Sequence, residues 1–213
     1  LSTAVSERLR LPGVRPPKPL LAPAAEQRLT ERQREILDSL EALVVRGGLA
    51  DRTMAEIAAR VNCSLRTLYG IAPSKDELVL AVVDRRLHRI GRSAIEALDP
   101  HLPPLESLRR YLSAVSEAVQ PVTAECIRDF ASVPGARRIF EGHERYVIAV
   151  AKSLLDRAVR EDVIAPVDTA AVAHVLGSLG REFSRPELAS LIARPAKETA
   201  DAISELILRG LAR

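Results

Sequence analysis

Apolar residues recur at helical spacing along most of the chain, and no stretch shows the strict alternation of a half-buried strand. Thr30 and Gln33 form a capping-box pair ahead of a first helix with inner stripe Ile36, Leu37, Leu40, Leu43 and Val44, ended by Gly47 and Gly48. The next stretch, TMAEIAARVNCSLRTLYGIAPSK (53–75), reads as helix, tight turn, helix. Ile57, Ala58 and Val61 are the inward positions of its first helix, Cys63 lies at the turn, and Leu68 and Ile71 face inward on the second. Asn62 occupies the corner, where a left-handed conformation is needed and asparagine tolerates it. Thr53 with Glu56 and Ser74 with Glu77 form capping boxes, Ser64 caps the second helix at the amide of Thr67, and Pro73 stops it.

Beyond Ser74 a long helical pattern runs to about Leu98, with Leu78, Val82, Leu87, Ile90 and Ile95 inward. Arg85, Arg86, Arg89 and Arg92 stud its other side, as a solvated charged face does. Pro100, Pro103 and Pro104 break it. Leu105, Leu108, Leu112, Val115 and Val119 form a further stripe before Pro121, and a short helix is expected over 122–131. A long helix then carries Ile139, His143, Tyr146, Val147, Val150, Leu154 and Ala158 on one face. Asp168 caps the next, TAAVAHVLGSLG (169–180), which is small and apolar almost all round and so is expected to be buried on several sides. A last helix, Ala196 to Leu211, has Ala200, Ile203, Ile207 and Leu211 in one stripe. The expected fold class is all-α.

Residues 1–29 differ from the rest. Pro12, Pro16, Pro17, Pro19 and Pro23 favour extended chain, so a disordered, proline-rich tail is expected. Its five basic residues (Arg8, Arg10, Arg15, Lys18, Arg28) against Glu7 and Glu26 give a weak attraction for phosphate. Over the whole chain the formal net charge is +3, which permits nucleic-acid binding without implying it. Aromatic residues are 3% of the chain, so any core or pocket has aliphatic walls. Cys63 and Cys126 lie far apart, with no C-x-x-C. No apolar run reaches the length of a membrane span, and the proline-rich start is unlike a signal-peptide core, so no membrane partner and a cytoplasmic setting are expected.

At 53–78 the sequence resembles the TetR family of bacterial transcriptional regulators. Thr53, Ile57, Ala58, Ser64, Thr67, Leu68, Tyr69, Ser74, Lys75 and Leu78 match its signature in one continuous register. Asn62 stands for the usual glycine, Cys63 for valine, Arg66 for the second glycine and Ala72 for an aromatic residue. The resemblance implies an N-terminal three-helix helix-turn-helix DNA-binding domain (30–79). A C-terminal helical ligand-binding and dimerisation bundle (80–213) follows it. It also implies a homodimer on a near-palindromic double-stranded DNA operator, most often as a repressor, released by a small effector. With aliphatic walls that effector is expected to be apolar or amphipathic. The alternative is a helical ligand-binding or protein-interaction module whose degenerate helix-turn-helix no longer binds DNA.

On the second helix of the motif, helical phase turns Leu68 inward and Arg66, Thr67 and Gly70 outward. Arg66 can take a guanine through O6 and N7, worth roughly 1–3 kcal/mol of discrimination. Leu65 is ambiguous: phase leans it inward, while the family's corresponding position faces DNA. Thr53, Ser64, Thr67, Tyr69 and Lys75 suit cap or phosphate roles, which position the protein without reporting sequence. Tyr111, Phe130, His143, Tyr146 and His174 are candidate effector contacts, as polar or aromatic groups on apolar helices. Ala173, Gly177, Gly180, Ile203, Ile207 and Leu211 are candidates for the dimer interface. The four histidines show neither H-x-x-x-H nor H-E-x-x-H, so no metal site is expected. With no P-loop, G-x-S-x-G or dinucleotide fingerprint, neither a cofactor nor an enzymatic activity is expected.

Overall fold

The computed structural model describes residues 11–21, 23–47, 49, 52–119 and 130–212. Its helices are α1 (Pro23–Arg28), α2 (Glu31–Gly47), α3 (Met54–Arg60), α4 (Leu65–Ile71), α5 (Lys75–Glu96), α6 (Pro104–Val119), α7 (Ala136–Arg160), α8 (Thr169–Phe183), α9 (Pro186–Ala189) and α10 (Ala196–Leu211). An isolated bridge, Ile164 to Ala212, is the sole β pairing among the described residues, so the all-α class holds. The helix expected over 122–131 lies mostly outside those residues. No helix among them is long and apolar enough to cross a membrane.

The helices gather into two compact units. One comprises residues 17–89 and 130–143, the other residues 11–16, 90–119 and 144–212, counting described residues. The boundary expected at 79/80 is therefore replaced by a division within two long helices. α5 gives its residues up to Arg89 to the first unit, and α7 gives that unit its residues up to His143.

The first unit closes around Ile36, Leu37 and Leu40 of α2, Ile57 and Ala58 of α3, Leu68 of α4, and Leu78 and Val82 of α5. Phe130 packs edge-on against Phe140 in the same core, with centroids 4.8 Å apart. Thr30 and Gln33 make the expected reciprocal cap, amide to side chain, at 2.9 and 3.2 Å. The arginines of α5 are not simply a solvated face. Glu41 of α2 is 2% exposed and accepts from Arg85 at 2.6 Å and also from Arg89, while Asp38 accepts from Arg85 at 2.8 Å. A carboxylate so far from water stays in place only because two guanidiniums neutralise it, which binds α2 to α5.

The N-terminal segment departs from the disordered tail expected of it. Pro23–Arg28 is helical, with proline at the first helical position, where its fixed φ fits and its missing N–H costs nothing. Leu21 and Leu29 pack on the first unit's core, Leu11 and Val14 on the second's, and the Leu20 amide donates to Asp84 at 2.8 Å. Residues 1–10 lie outside the described residues.

In the second unit Leu98, Leu108, Tyr111, Leu154, Leu155, Ala158, Ile164, Ala173 and Leu208 make the core. Asp168 caps α8 as expected, accepting from the amides of Ala170 and Ala171. Ala173 and Leu176 of α8 are buried, whereas Ala170, Ala171, His174 and Val175 are exposed. The expectation of all-round burial fails because the small residues serve one face only. A Cβ on Gly177 would stand 2.6 Å from Ile148, so this glycine lets α8 lie close on α7.

Replacing Glu41 by alanine removes the buried carboxylate that Arg85 and Arg89 share, leaving Arg85 only Asp38 and Glu26, and is expected to cost about 3 kcal/mol. Urea unfolding followed by circular dichroism measures it. A loss under about 1 kcal/mol contradicts the role given to Glu41.

Candidate nucleic-acid interface

The α3–α4 pair is built from local hydrogen bonds. Thr53 accepts the Glu56 amide at 3.3 Å, and Glu56 accepts the Thr53 amide at 2.7 Å, completing the capping box. Those bonds hold the Glu56 carboxyl below the usual carboxylate range, the Thr53 amide contributing most. At the corner Asn62 has φ of 50°, the left-handed conformation its position implied. Cys63 donates back to the Ala58 carbonyl at 2.9 Å, and Arg32 of α2 donates to the Asn62 carbonyl at 2.7 Å, bracing the turn from a third helix. Burial pushes the Cys63 thiol up. Ser64 then caps α4, accepting the Thr67 amide at 3.1 Å, with the two hydroxyls 2.7 Å apart.

Leu68 is fully buried, which fixes the rotation of α4. Its other side carries Leu65, Arg66, Tyr69 and Gly70, all exposed, with Tyr69 half-accessible. The ambiguity at Leu65 resolves outward. Arg66 enters no ion pair among the described residues, so its guanidinium is available on the surface. A Cβ on Gly70 would meet nothing, which leaves a shallow spot one turn beyond Arg66. Thr67 and Lys75 are half-buried at the margins, and Thr53 is exposed at the head of α3. The structure thus brings the eight expected DNA-contact positions onto one element pair and its flanks. Ala72, where the family has an aromatic, is buried, and its amide donates to the Leu68 carbonyl at 3.0 Å.

The expected effector set does not assemble. Phe130 lies in the first unit's core, and His143 bonds Asp84 there at 3.0 Å. His174 is exposed on α8; Tyr111 and Tyr146 alone share the second unit's core. Sequence spacing places residues on a helix face but does not say which helices meet. The dimer set is also split. Ala173 and Gly177 face their own subunit's helices, and Ile207 and Leu211 pack on the core, while Gly180 is exposed and Ile203 half-buried. Small residues permit close approach equally within a chain and between chains. The large apolar residues left outside on α8 and α10, among the described residues, are Val175 and Leu206, the latter 71% exposed.

Two features escaped the sequence. Ser107 Oγ and the Tyr111 hydroxyl are wholly buried with no hydrogen-bond partner among the described residues. Asp84, His88 and His143 converge, although no metal ligands were expected. The sequence has no pair of histidines at ligand spacing on one helix; D-x-x-x-H on α5 is the signal it carries, and the third member comes from α7.

An exposed α4 standing on a capped three-helix core has the geometry of a helix-turn-helix. Residues 36–82 match the sequence model for bacterial regulatory proteins of the tetR family. The HTH-type transcriptional repressor KstR of Rhodococcus jostii is 29% identical over 140 residues, covering 63% of this chain and 65% of that protein. The chain therefore spans just under two thirds of that relative. The HTH-type regulator YhgD of Bacillus subtilis is 24% identical over 150 residues, covering 68% of this chain and 78% of its own length. A TetR transcription regulator from Haloarcula marismortui shares the fold, with a TM-score of 0.73 at 20% identity over 87% of this chain and all of that one.

Glu56 titrates lower in the folded chain than in the unfolded one. Its contribution is therefore complete above the ordinary carboxylate range and lost as pH falls through its depressed value. Glu56→Gln keeps a cap but removes the titration, so the stability gap between wild type and variant is expected to narrow from about pH 5 to pH 3. Urea midpoints across that range check it; a constant gap contradicts the cap.

Proposed function

We propose that the chain is a transcriptional regulator that binds an operator as a homodimer, acting as a repressor. The observation that carries this is the outward face of α4, where Arg66 and Gly70 stand on the side opposite the buried Leu68. Such a helix enters the major groove with Arg66 reading a guanine edge, while Thr53, Ser64, Thr67, Tyr69 and Lys75 meet phosphates or hold the helix. The repressor name of the Rhodococcus relative supports the sign of regulation. Seven residues of helix read few bases, so specificity needs two copies about one helical turn apart. The exposed stripe of Ala171, His174 and Val175 on α8, with Ala202 and Leu206 on α10, is the surface we assign to the second copy.

A small apolar or amphipathic effector is also part of the reading. The buried hydroxyls of Ser107 and Tyr111, without a partner among the described residues, sit one turn apart on α6 in the core that Leu108, Val150 and Leu154 also line, and suit the polar end of such a ligand. A cleft of about 230 Å³ between α6 and α10 is lined instead by Arg109, Asp201 and Glu205 and is too charged for that ligand. The effector acts by preferring the arrangement that does not bind DNA.

Polarisation assays against the DNA upstream of the protein's own gene test the proposal. Arg66→Ala is expected to relax base preference at one position per half-site, whereas Lys75→Ala weakens all sequences alike and flattens the salt dependence. The same losses from both substitutions contradict the division of roles, and no preference over random DNA contradicts the function. For the dimer, Leu206→Arg is expected to give a monomer in sedimentation; a retained dimer moves the interface elsewhere.

A further inference from the structure

Three polar side chains that the DNA-contact reading does not use converge inside the first unit. Asp84 and His88 stand at i and i+4 on α5, which puts both on one face. His143 meets them from α7. Its Nε2 lies 3.0 Å from Asp84 Oδ1, and His88 Nε2 lies 3.7 Å from the same oxygen. One donor atom from each residue lies within 4.8 Å of the other two. The imidazoles meet edge to face, with centroids 4.7 Å apart and planes at 76°. Asp84 and His143 are buried, while His88 keeps partial exposure and so a path from solvent. The second oxygen of Asp84 is already engaged by the Leu20 amide at 2.8 Å, which orients the carboxylate from behind.

A hydrogen bond between His143 and Asp84 explains one of these separations. It does not explain why a second imidazole turns the same nitrogen toward the same oxygen from beyond hydrogen-bond range. Donors held at about 2.0–2.1 Å by one tetrahedral ion stand roughly 3.3–3.4 Å apart. The two distances to Asp84 Oδ1 bracket that separation. Two imidazoles and one carboxylate suit zinc, cobalt or nickel; calcium and magnesium call for more oxygens, and copper(I) for sulfur.

We propose that Asp84, His88 and His143 bind one divalent transition-metal ion of the zinc class per chain. The ion ligates Oδ1 and both Nε2 atoms, displacing the proton that His143 shares with Asp84, and water or another small ligand completes its shell. It cross-links α5 to the start of α7. Because Asp84 Oδ2 keeps the Leu20 amide, the ion also stiffens the attachment of the N-terminal segment.

The test uses the tag-free full chain, stripped with a chelator and dialysed into non-coordinating buffer. It is titrated with cobalt(II) under visible absorption and with zinc(II) by calorimetry. One ion per chain is expected, with the d–d bands of low-coordinate cobalt, displaced by zinc. His88→Gln and His143→Gln are each expected to weaken zinc binding at least about tenfold, while His101→Gln and His174→Gln leave it unchanged. Zinc is also expected to raise the melting temperature of the wild type and not of His88→Gln. Because His143→Gln also removes a buried hydrogen bond, the decision rests on wild type and His88→Gln if that variant fails to fold. No saturable binding by the wild type overturns the site, as does binding that His88→Gln retains and His101→Gln or His174→Gln abolishes.

Discussion

Leu68 has no exposed surface, and this one packing requirement decides which way α4 faces. A seven-residue helix has little stability of its own, so its orientation comes from what it buries. With Leu68 seated in the core that α2, α3 and α5 also line, the side carrying Arg66 and Gly70 has no direction left but outward. The entry to the helix is equally constrained, by Asn62 in the left-handed region and by Ser64 at the cap. Truncating Leu68 would cost about 2–5 kcal/mol by general experience with buried leucines, and the interface would lose its aim with its stability.

Electrostatics in this unit work by placement. Acidic residues slightly outnumber basic ones across 31–79, so the proposed DNA binding does not rest on a broad positive field. Several arginines are spent inside the protein: Arg85 and Arg89 neutralise Glu41, and Arg32 holds the turn at Asn62. Arg66 stands apart from these networks on the exposed face. Its value lies in where the fold puts it.

What could be read from the sequence was what local chemistry decides. The caps at Thr30, Thr53, Ser64 and Asp168 depend on bonds spanning two or three residues, and the left-handed corner depends on Asn62 alone. The stripes of Ile57, Leu68, Leu78 and Leu154 likewise mark their helices by period. Features made by helix pairing were not legible. Ala173 and Gly177 looked suited to a partner chain, but they face their own subunit, and Ile148 accounts for Gly177. Five prolines suggested an irregular tail, yet Pro23 opens a helix and Leu20 is bonded to Asp84. Phe130 and His143 shared an apolar setting with Tyr111 in the sequence and belong to a different unit in space.

The orientation of α4 is open to a direct chemical reading in DNA methylation interference. Guanine N7 lies in the major groove and adenine N3 in the minor groove, so dimethyl sulfate reports which groove the protein occupies. The proposed homodimer predicts that N7 methylation blocks binding at two clusters of guanines about 10–10.5 base pairs apart, related by two-fold symmetry. Interference confined to adenine N3, or a single unpaired cluster, would contradict a helix aimed by Leu68 into the major groove from each of two chains.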